Sequence, residues 1–468
     1  MPIMGRNLDW TLDPLEALAR WPLDRRVLLL HSGRYEPRWS RYSIMAEPVG
    51  SYRFTRDGHS VLHAVSPSTN GAGETILDKQ LTHDPFQDLR SLLQLDGLWI
   101  GYLGYDLGRW IENLPSLAAA DRDWPVIELG HCPGWLVHDR ADGQWRACGT
   151  WSDNTDHPWV QLPVLPPQSP IAYRAAEPRS VFAPADYRSA VQRVIDYIAA
   201  GDVFQVNLAQ RFSAKLAADS ASYRRSLFAR LATVSPAWFG AYLEADGAIG
   251  DDGGHVQRAI ASTSPELFLD VDTQGHVITR PIKGTRPATV PAETLRQSAK
   301  DLAELNMIVD LMRNDLGRVC RYGSVRVERP RDIESHPTVH HGVATITGEL
   351  ATGRDVVDLI RATMPGGSIT GAPKVRAMQI IDELEHVRRG PYCGCIGYLS
   401  RHHTCLNIAI RTMLLESRRA PTAHQPDAVT GRVDFHVGGG IVADSDPAME
   451  YQETLDKAAA IMAALGNS

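Results

Sequence analysis

Apolar positions change period along this chain. From Tyr187 through Val191, Val194 and Ile195 to Ile198 they recur every three to four residues, and Gly201 follows. That spacing predicts an amphipathic helix with a glycine stop. The run Val203–Leu208 then reads as a strand. From Ser298 to Met312 (SAKDLAELNMIVDLM) the pattern is helical again and, past Glu304, apolar almost all round, with Gly317 suited to the exit. Such a helix is mostly buried. Earlier in the chain, short apolar runs such as Val27–Leu30 and Trp99–Tyr105 are broken by Gly, Pro and Asp, which predicts a strand-rich N-terminal half with a few helices. Residues 163–184 are dense in proline, lack apolar periodicity and read as a connector. The chain divides accordingly into residues 1–165, a connector at 166–184, and 185–468.

The C-terminal pattern has more to say. Asp446 suits an N-cap and Pro447 a first helical position. Glu450, Glu453 and Lys457 then share one face, with Leu455, Ala459 and Met462 on an apolar face opposite. Just upstream, Val437–Val442 (VGGGIV) reads as a glycine-rich turn whose backbone N–H groups can approach an anion. Carboxylates suited to a hard divalent cation, beside N–H groups and a lysine suited to an anion, point to a carboxylate substrate bridged by magnesium. Read alone, Glu453 and Lys457 fit better as an i,i+4 ion pair on a solvated face. Glu304 likewise fits either a salt bridge or a metal.

Composition narrows the class. The chain has 468 residues, 43% hydrophobic, 22% charged and 7% aromatic, which is ordinary for a globular protein able to bury a large core. A net charge of -7 and the lack of any Lys/Arg block argue against broad nucleic-acid binding. The start, MPIMGRNLDW, has no signal-peptide core, and no apolar run approaches membrane length. Cys132, Cys148, Cys320, Cys393, Cys395 and Cys405 form neither a C-x-x-C pair nor a zinc spacing, which predicts a reduced, cytoplasmic protein.

Two segments invite chemistry. RPIKGTRP (280–287) puts Lys283 at the end of a β-type run, before a glycine turn, where an amine kept neutral can act as a nucleophile. GGSITGAPK (366–374) looks superficially like a phosphate loop, but Ala372 and Pro373 stand where that loop needs Lys-Ser or Lys-Thr. No G-x-G-x-x-G fingerprint occurs either, so nucleotide binding is not expected. Lys374 and Arg376 then open an amphipathic helix whose N-terminus favours an anion.

The ordered series RPIKGTRP, LNMIVDLMRNDLGRV, MPGGSITGAPKVRAMQIIDELE, GCIGYLS, IAIRTM and GGGIVADSDPAMEYQETLDKA resembles the chorismate-utilising, anthranilate synthase component I-like enzymes over essentially residues 187–462. LLLHSG and WIGYLGYD extend the resemblance more loosely into the N-terminal half. It implies an α+β fold with a β-sandwich core of two large sheets flanked by helices. Two positions point to the aminodeoxychorismate synthase component I branch. Lys283 stands where the anthranilate branch has alanine, and Gln205 stands where isochorismate and salicylate synthases place a water-activating lysine. Anthranilate synthase component I is the alternative.

The resemblance implies roles residue by residue. Lys283 would attack C2 of chorismate, Glu266 would protonate the departing C4 hydroxyl, and His341 would support them. Glu304 and Glu453, with Glu450 beside them, would hold Mg2+. Gly284, Thr285, Tyr398, Arg411, the backbone of Gly438, Gly439 and Gly440, and Lys457 would contact substrate, Tyr398 and Arg411 at the enolpyruvyl carboxylate. Ser32 and Pro236 match parts of a pocket filled in relatives either by tryptophan or by side chains, and which of the two applies stays open. The product would be 4-amino-4-deoxychorismate for 4-aminobenzoate and folate biosynthesis. No cysteine lies in a G-x-C-x-G elbow, so ammonia would come from a separate glutamine amidotransferase subunit. Three departures from the pattern are Arg286-Pro287-Ala288 after the nucleophile, Leu305 where asparagine is usual, and Gly342 where leucine is usual.

Overall fold

A computed structural model describes residues 5–63, 81–153, 158–167, 175–216, 220–249, 255–336, 339–419 and 429–466. Part of the proline-rich connector, residues 168–174, lies outside the described residues. The strands form a 12-stranded and an 11-stranded sheet. The first runs through Leu28–His31, Phe239–Ile249, His255–Ser264, Thr412–Arg419, Val429–Ile441 and Gln205–Leu216 in that spatial order, each pair antiparallel. The second runs from Ile282–Pro287 and Val339–Glu349 through Leu267–Val271, Thr404–Ile408 and Cys395–Leu399 to Leu98–Leu103 and Ile127–Cys132. Each sheet takes strands from both sides of residues 166–184: Leu28–His31 pairs with Phe239–Ile249, and Leu98–Leu103 with Cys395–Leu399.

Apolar faces place the layers. Leu28, Ala241, Ile260 and Leu414 of the first sheet cluster with Leu98, Ile100, Tyr102 and Ile396 of the second, so the sheets pack face to face. The outer face of the first sheet is covered by helices Ala221–Val234 and Pro447–Ala464, through Phe228, Leu231, Ala458 and Ile461. Helices Pro184–Ala199, Ala299–Gly317, Val356–Thr363 and Lys374–Leu384 bury Val191, Ile308, Ile360 and Ile381 in the cluster that holds Leu269 and Leu406 of the second sheet. The result is a β-sandwich flanked by helices, an α+β fold.

The periodic segments form as their patterns predict, with local differences. The helix Pro184–Ala199 ends at Ala200, and Gly201 follows at φ +83°. Ser298 caps the helix Ala299–Gly317 by accepting from the Asp301 N–H. That helix is less enclosed than its apolar run suggests: Asn306 and Asp310 face water while Leu305, Ile308, Val309 and Met312 are buried. Asp446 caps Pro447–Ala464, its carboxylate accepting from Ala448 and Met449 N–H groups. The buried stripe of that helix is Thr454, Ala458, Ile461 and Ala464, with Glu450 at its head, whereas Ala459 is exposed. A shift of one position separates the stripe from the expected one, because packing on the sheet rather than side-chain size decides which alanine is covered.

Val437–Val442 is not a turn. Gly438, Gly439 and Gly440 continue the strand Val429–Ile441 and pair in register with Ala209, Leu208 and Asn207. A methyl group on Gly438 would stand 2.5 Å from the Leu208 carbonyl oxygen, so close strand approach is what needs the missing side chain. On the other edge, the described pairing with Thr412–Arg419 runs only as far as Phe435, which leaves that edge of the glycine run open. No helix of the described residues is long and apolar enough to cross a membrane, and all six cysteines are free.

Candidate active site

The strand Ile282–Pro287 pairs with Val339–Glu349 and is bulged between Ile282 and Thr285. Gly284 makes the bulge at φ +82°, a conformation that strains any other residue. Lys283 therefore sits inside a bulged strand rather than at a strand end before a turn. A methyl on Gly342 would meet the Lys283 carbonyl oxygen at 2.6 Å, so the departure at 342 leaves room for the backbone of the lysine.

Several segments converge on the Lys283 amine. A methyl on Gly440 would stand 3.2 Å from Lys283 Nζ and 3.2 Å from Gln205 Nε2. One on Gly439 would stand 3.2 Å from Glu450 Oε2, 3.7 Å from Glu453 Oε1 and 3.8 Å from Lys457 Nζ. The open glycine strand is thus the floor over which lysine, amide and carboxylates meet. Gln205 is fully buried, and neither end of its amide has a hydrogen-bond partner among the described residues.

Charge is distributed unevenly here. Burial lowers the Lys283 amine below the usual lysine range, although Glu304, Glu266 and Glu453 pull the other way. Burial pushes the Glu266 carboxyl up to about 7, against the Ser368 hydroxyl and the Lys283 charge, which both lower it. Ser368 Oγ donates to Glu266 Oε1 at 2.6 Å. Burial also raises Glu304 and Glu450, and the Glu453 charge raises both further. Glu450 accepts from Ser445 Oγ at 2.6 Å. Partial desolvation would raise Glu453 too, but Lys457, 2.7 Å away, outweighs it and holds the carboxyl below its usual range. Lys457 Nζ also donates to the Gly438 carbonyl at 2.8 Å.

A second group lies along the neighbouring strand. Thr285 Oγ1 is 2.9 Å from His341 Nδ1, and Arg411 Nη2 is 3.4 Å from His341 Nε2. Arginine can only donate, so Nε2 accepts and Nδ1 carries the proton toward Thr285. Burial, with Arg411 beside it, keeps the imidazole neutral. Arg411 adopts φ +51°, and no acidic group among the described residues offsets the burial of its guanidinium. A guanidinium that lacks an acidic partner among the described residues has donors free to meet an anion.

The structure thus brings Lys283, Glu266, Glu304, Glu450, Glu453, Lys457 and the three glycines to one place, and joins Thr285, His341 and Arg411. Tyr398 is placed in the apolar layer between the sheets, with its hydroxyl 2.7 Å from His403 Nδ1. Ser32 and Pro236 lie close through Gly33, whose N–H donates to Ala237 at 2.8 Å, and the Ser32 hydroxyl donates to the Tyr42 carbonyl. Lys374 and Arg376 are spent on Asp315 and Asp202, so the helix they open presents no free cation of theirs to an anion. Sequence reasoning missed Ser368 and Ser445. Both sit in quoted motifs, directly after Gly367 and before Asp446, yet a serine's partner cannot be read from spacing.

Among the described residues no group of three or more His, Cys, Asp or Glu side chains forms a ready-made metal cage. Magnesium needs less, being held by one or two carboxylates with water and substrate oxygens. Mutually repelling carboxylates of Glu304, Glu450 and Glu453 are hard oxygen donors that such a cation would stabilise.

The chorismate binding enzyme family matches residues 33–463. Aminodeoxychorismate synthase component 1 of Klebsiella aerogenes is 39% identical, over 96% of this chain and 96% of that protein. Its namesake from Escherichia coli (strain K12) is 37% identical, over 92% of this chain and 91% of that protein. Among solved structures, anthranilate synthase component I from Streptococcus pneumoniae TIGR4 superposes with a TM-score of 0.70 at 26% identity, over 98% of this chain and 100% of that one.

Proposed function

The chain belongs to the chorismate binding enzymes, and from that premise we propose that it replaces the C4 hydroxyl of chorismate by an amino group, giving 4-amino-4-deoxychorismate. The observation that carries this reading is Lys283, an amine made less basic by burial and within electrostatic reach of Glu304 and Glu266. The relatives named for this reaction, at 39% and 37% identity over nearly the whole chain, support the same choice.

Neutral Lys283 attacks C2. The C2–N bond forms, the two ring double bonds each shift by one position, and the C4–O bond breaks. The oxygen leaves as water, taking the proton of Glu266. Ammonia then attacks C4, the double bonds return, and the C2–N bond breaks to free the lysine amine. The net change is chorismate plus ammonia to 4-amino-4-deoxychorismate plus water. Arg411 would pair with a substrate carboxylate while His341 and Thr285 hold its guanidinium in place. Mg2+ held by Glu304 and Glu453, with Glu450 beside them, would supply positive charge for the ring carboxylate.

Ammonia would come from a glutamine amidotransferase subunit. Cys393 and Cys395 are buried thiols, and burial raises that of Cys393 to about 12, which ill suits a nucleophile of the chain's own. The reading places the protein in the cytoplasm, in 4-aminobenzoate supply for folate.

The test is to incubate the full chain with chorismate, magnesium and an ammonium salt at mildly alkaline pH, then add an aminodeoxychorismate lyase. 4-Aminobenzoate that forms only after the lyase is the expected result, and Lys283→Ala should abolish it or lower it sharply. Anthranilate formed without the lyase would replace this reading by the alternative one. Full activity of Lys283→Ala would remove the covalent step.

A further inference from the structure

The glycine-rich segment that resembles a phosphate loop holds no nucleotide signature, yet its serine touches the site. Ser368 is buried, and its hydroxyl donates to Glu266 Oε1 at 2.6 Å. The segment is held from several sides. Thr370 Oγ1 donates to the Gly366 carbonyl at 2.9 Å, and the Asn207 N–H to the Thr370 carbonyl at 2.8 Å. Arg389, fully buried and paired with Glu385, donates to the Ile369 carbonyl at 2.8 Å and to the Asn207 carbonyl at 2.6 Å. Two glycines let the segment sink. A methyl on Gly366 would stand 2.9 Å from Ile408 Cδ1, and one on Gly367 would stand 2.6 Å from Leu311 Cδ2. The conformation thus sets one hydroxyl on one carboxyl oxygen.

We infer that Ser368 is a positioning residue for the acid Glu266: by donating to Oε1 it fixes that oxygen as the acceptor and leaves the transferable proton on Oε2. The inference rests on the reading of Glu266 as the group that protonates the leaving hydroxyl. A protonated carboxyl has one O–H and one carbonyl oxygen, and the carbonyl oxygen is the better acceptor. Without the serine either oxygen can carry the proton, and part of the population presents the wrong one. Other groups bearing on this carboxyl are the Ile282 backbone N–H, the Lys283 amine and the Cys393 thiol. Of these, only the lysine can become a cation, and burial disfavours that form. Ser368 stabilises the ionised carboxyl as well as orienting the protonated one, so its loss shifts the titration upward.

Two variants of the full chain separate this role from mere folding: Ser368→Ala, and Ser368→Thr, which keeps the hydroxyl. The titration of Glu266 is followed by difference infrared spectroscopy, its carboxyl band being the one lost in Glu266→Gln. This readout needs no substrate, so it stands even if the assigned reaction is wrong. In Ser368→Ala the band should titrate at higher pH than in the wild type, and Ser368→Thr should restore the original position. With chorismate, magnesium and ammonium, Ser368→Ala should lower kcat at least about twofold with little change in KM, since either oxygen then carries the proton. The alkaline limb of its pH profile should move upward. An unmoved carboxyl band in Ser368→Ala would overturn the inference. So would wild-type kcat in Ser368→Ala, or a threonine variant as impaired as the alanine one. If the wild type forms no product while the band shifts as expected, the contact stands and the assigned reaction falls.

Discussion

In the proposed reaction Glu266 is the acid and must stay protonated, and burial holds its proton against the opposing Lys283 charge. The arrangement is costly. A glutamate in the unfolded chain ionises near its usual value, about 4.3, whereas Glu266 holds its proton up to about 7. Between those values the folded protein binds a proton that the unfolded chain has lost, so stability falls as pH rises through this window. The loss is complete above about 7 and on the order of 3 kcal/mol. Glu266→Gln keeps the shape and removes the charge. It should raise the thermal midpoint at pH 8 by several degrees and change it little at pH 4, while activity drops about a hundredfold or more. Calorimetry at the two pH values checks the first part, and an unchanged difference between them would contradict it. Lys283 could be singled out in the sequence because it stands in one of the ordered motifs, and Glu266 only through the short segment Ser264–Phe268 (SPELF). Their surroundings were not legible. The imidazole of His341 is oriented by Thr285 and Arg411, which lie 56 and 70 positions away. Nothing in local spacing reports a contact of that range.

At the scale of one element, the glycine strand Val429–Ile441 shows how sequence and structure part company. A run of three glycines is a turn signal in most contexts. Here it is a strand, since its neighbour Gln205–Leu216 supplies an 11-residue register and packing overrides the local preference. The three glycines then have separable duties. Gly440→Ala would direct its methyl at Lys283 Nζ and the Gln205 amide, both side chains. It should lower activity about a hundredfold and leave the thermal midpoint nearly unchanged. Gly438→Ala would direct its methyl at the Leu208 carbonyl, part of the backbone. That variant should be destabilised by about 1–3 kcal/mol through the ladder it pries open. Paired thermal-shift and activity measurements distinguish the two, and equal stability losses would refute the division of labour. Helices were read with less error. Asp446 and Pro447 announce the start of their helix by cap chemistry that acts within three residues.

At the scale of the whole molecule, the α+β class and sandwich were legible through the family resemblance, while the interleaving of the strands was not. Periodicity identifies a strand but not its neighbour. Leu28–His31 finds Phe239–Ile249, and Leu98–Leu103 finds Cys395–Leu399, across the proline-rich segment. Residues 1–165 and 185–468 produced separately should therefore each lack near-ultraviolet circular dichroism and cooperative unfolding. The intact chain should unfold with the strands of both sheets melting together. Cooperative folding of either fragment alone would contradict this.

Interleaving also has a consequence in time. A ribosome adds about 5–20 residues each second. The strand Leu98–Leu103 is complete nearly three hundred residues before its partner Cys395–Leu399 exists, so it waits roughly 15–60 s with one edge unpaired. For that interval the nascent chain is a half-built sheet seeking a template, and strands on neighbouring ribosomes offer one. The yield of active protein in the cell should then depend less on how stable the finished sandwich is than on what shelters its first half until the last motif emerges.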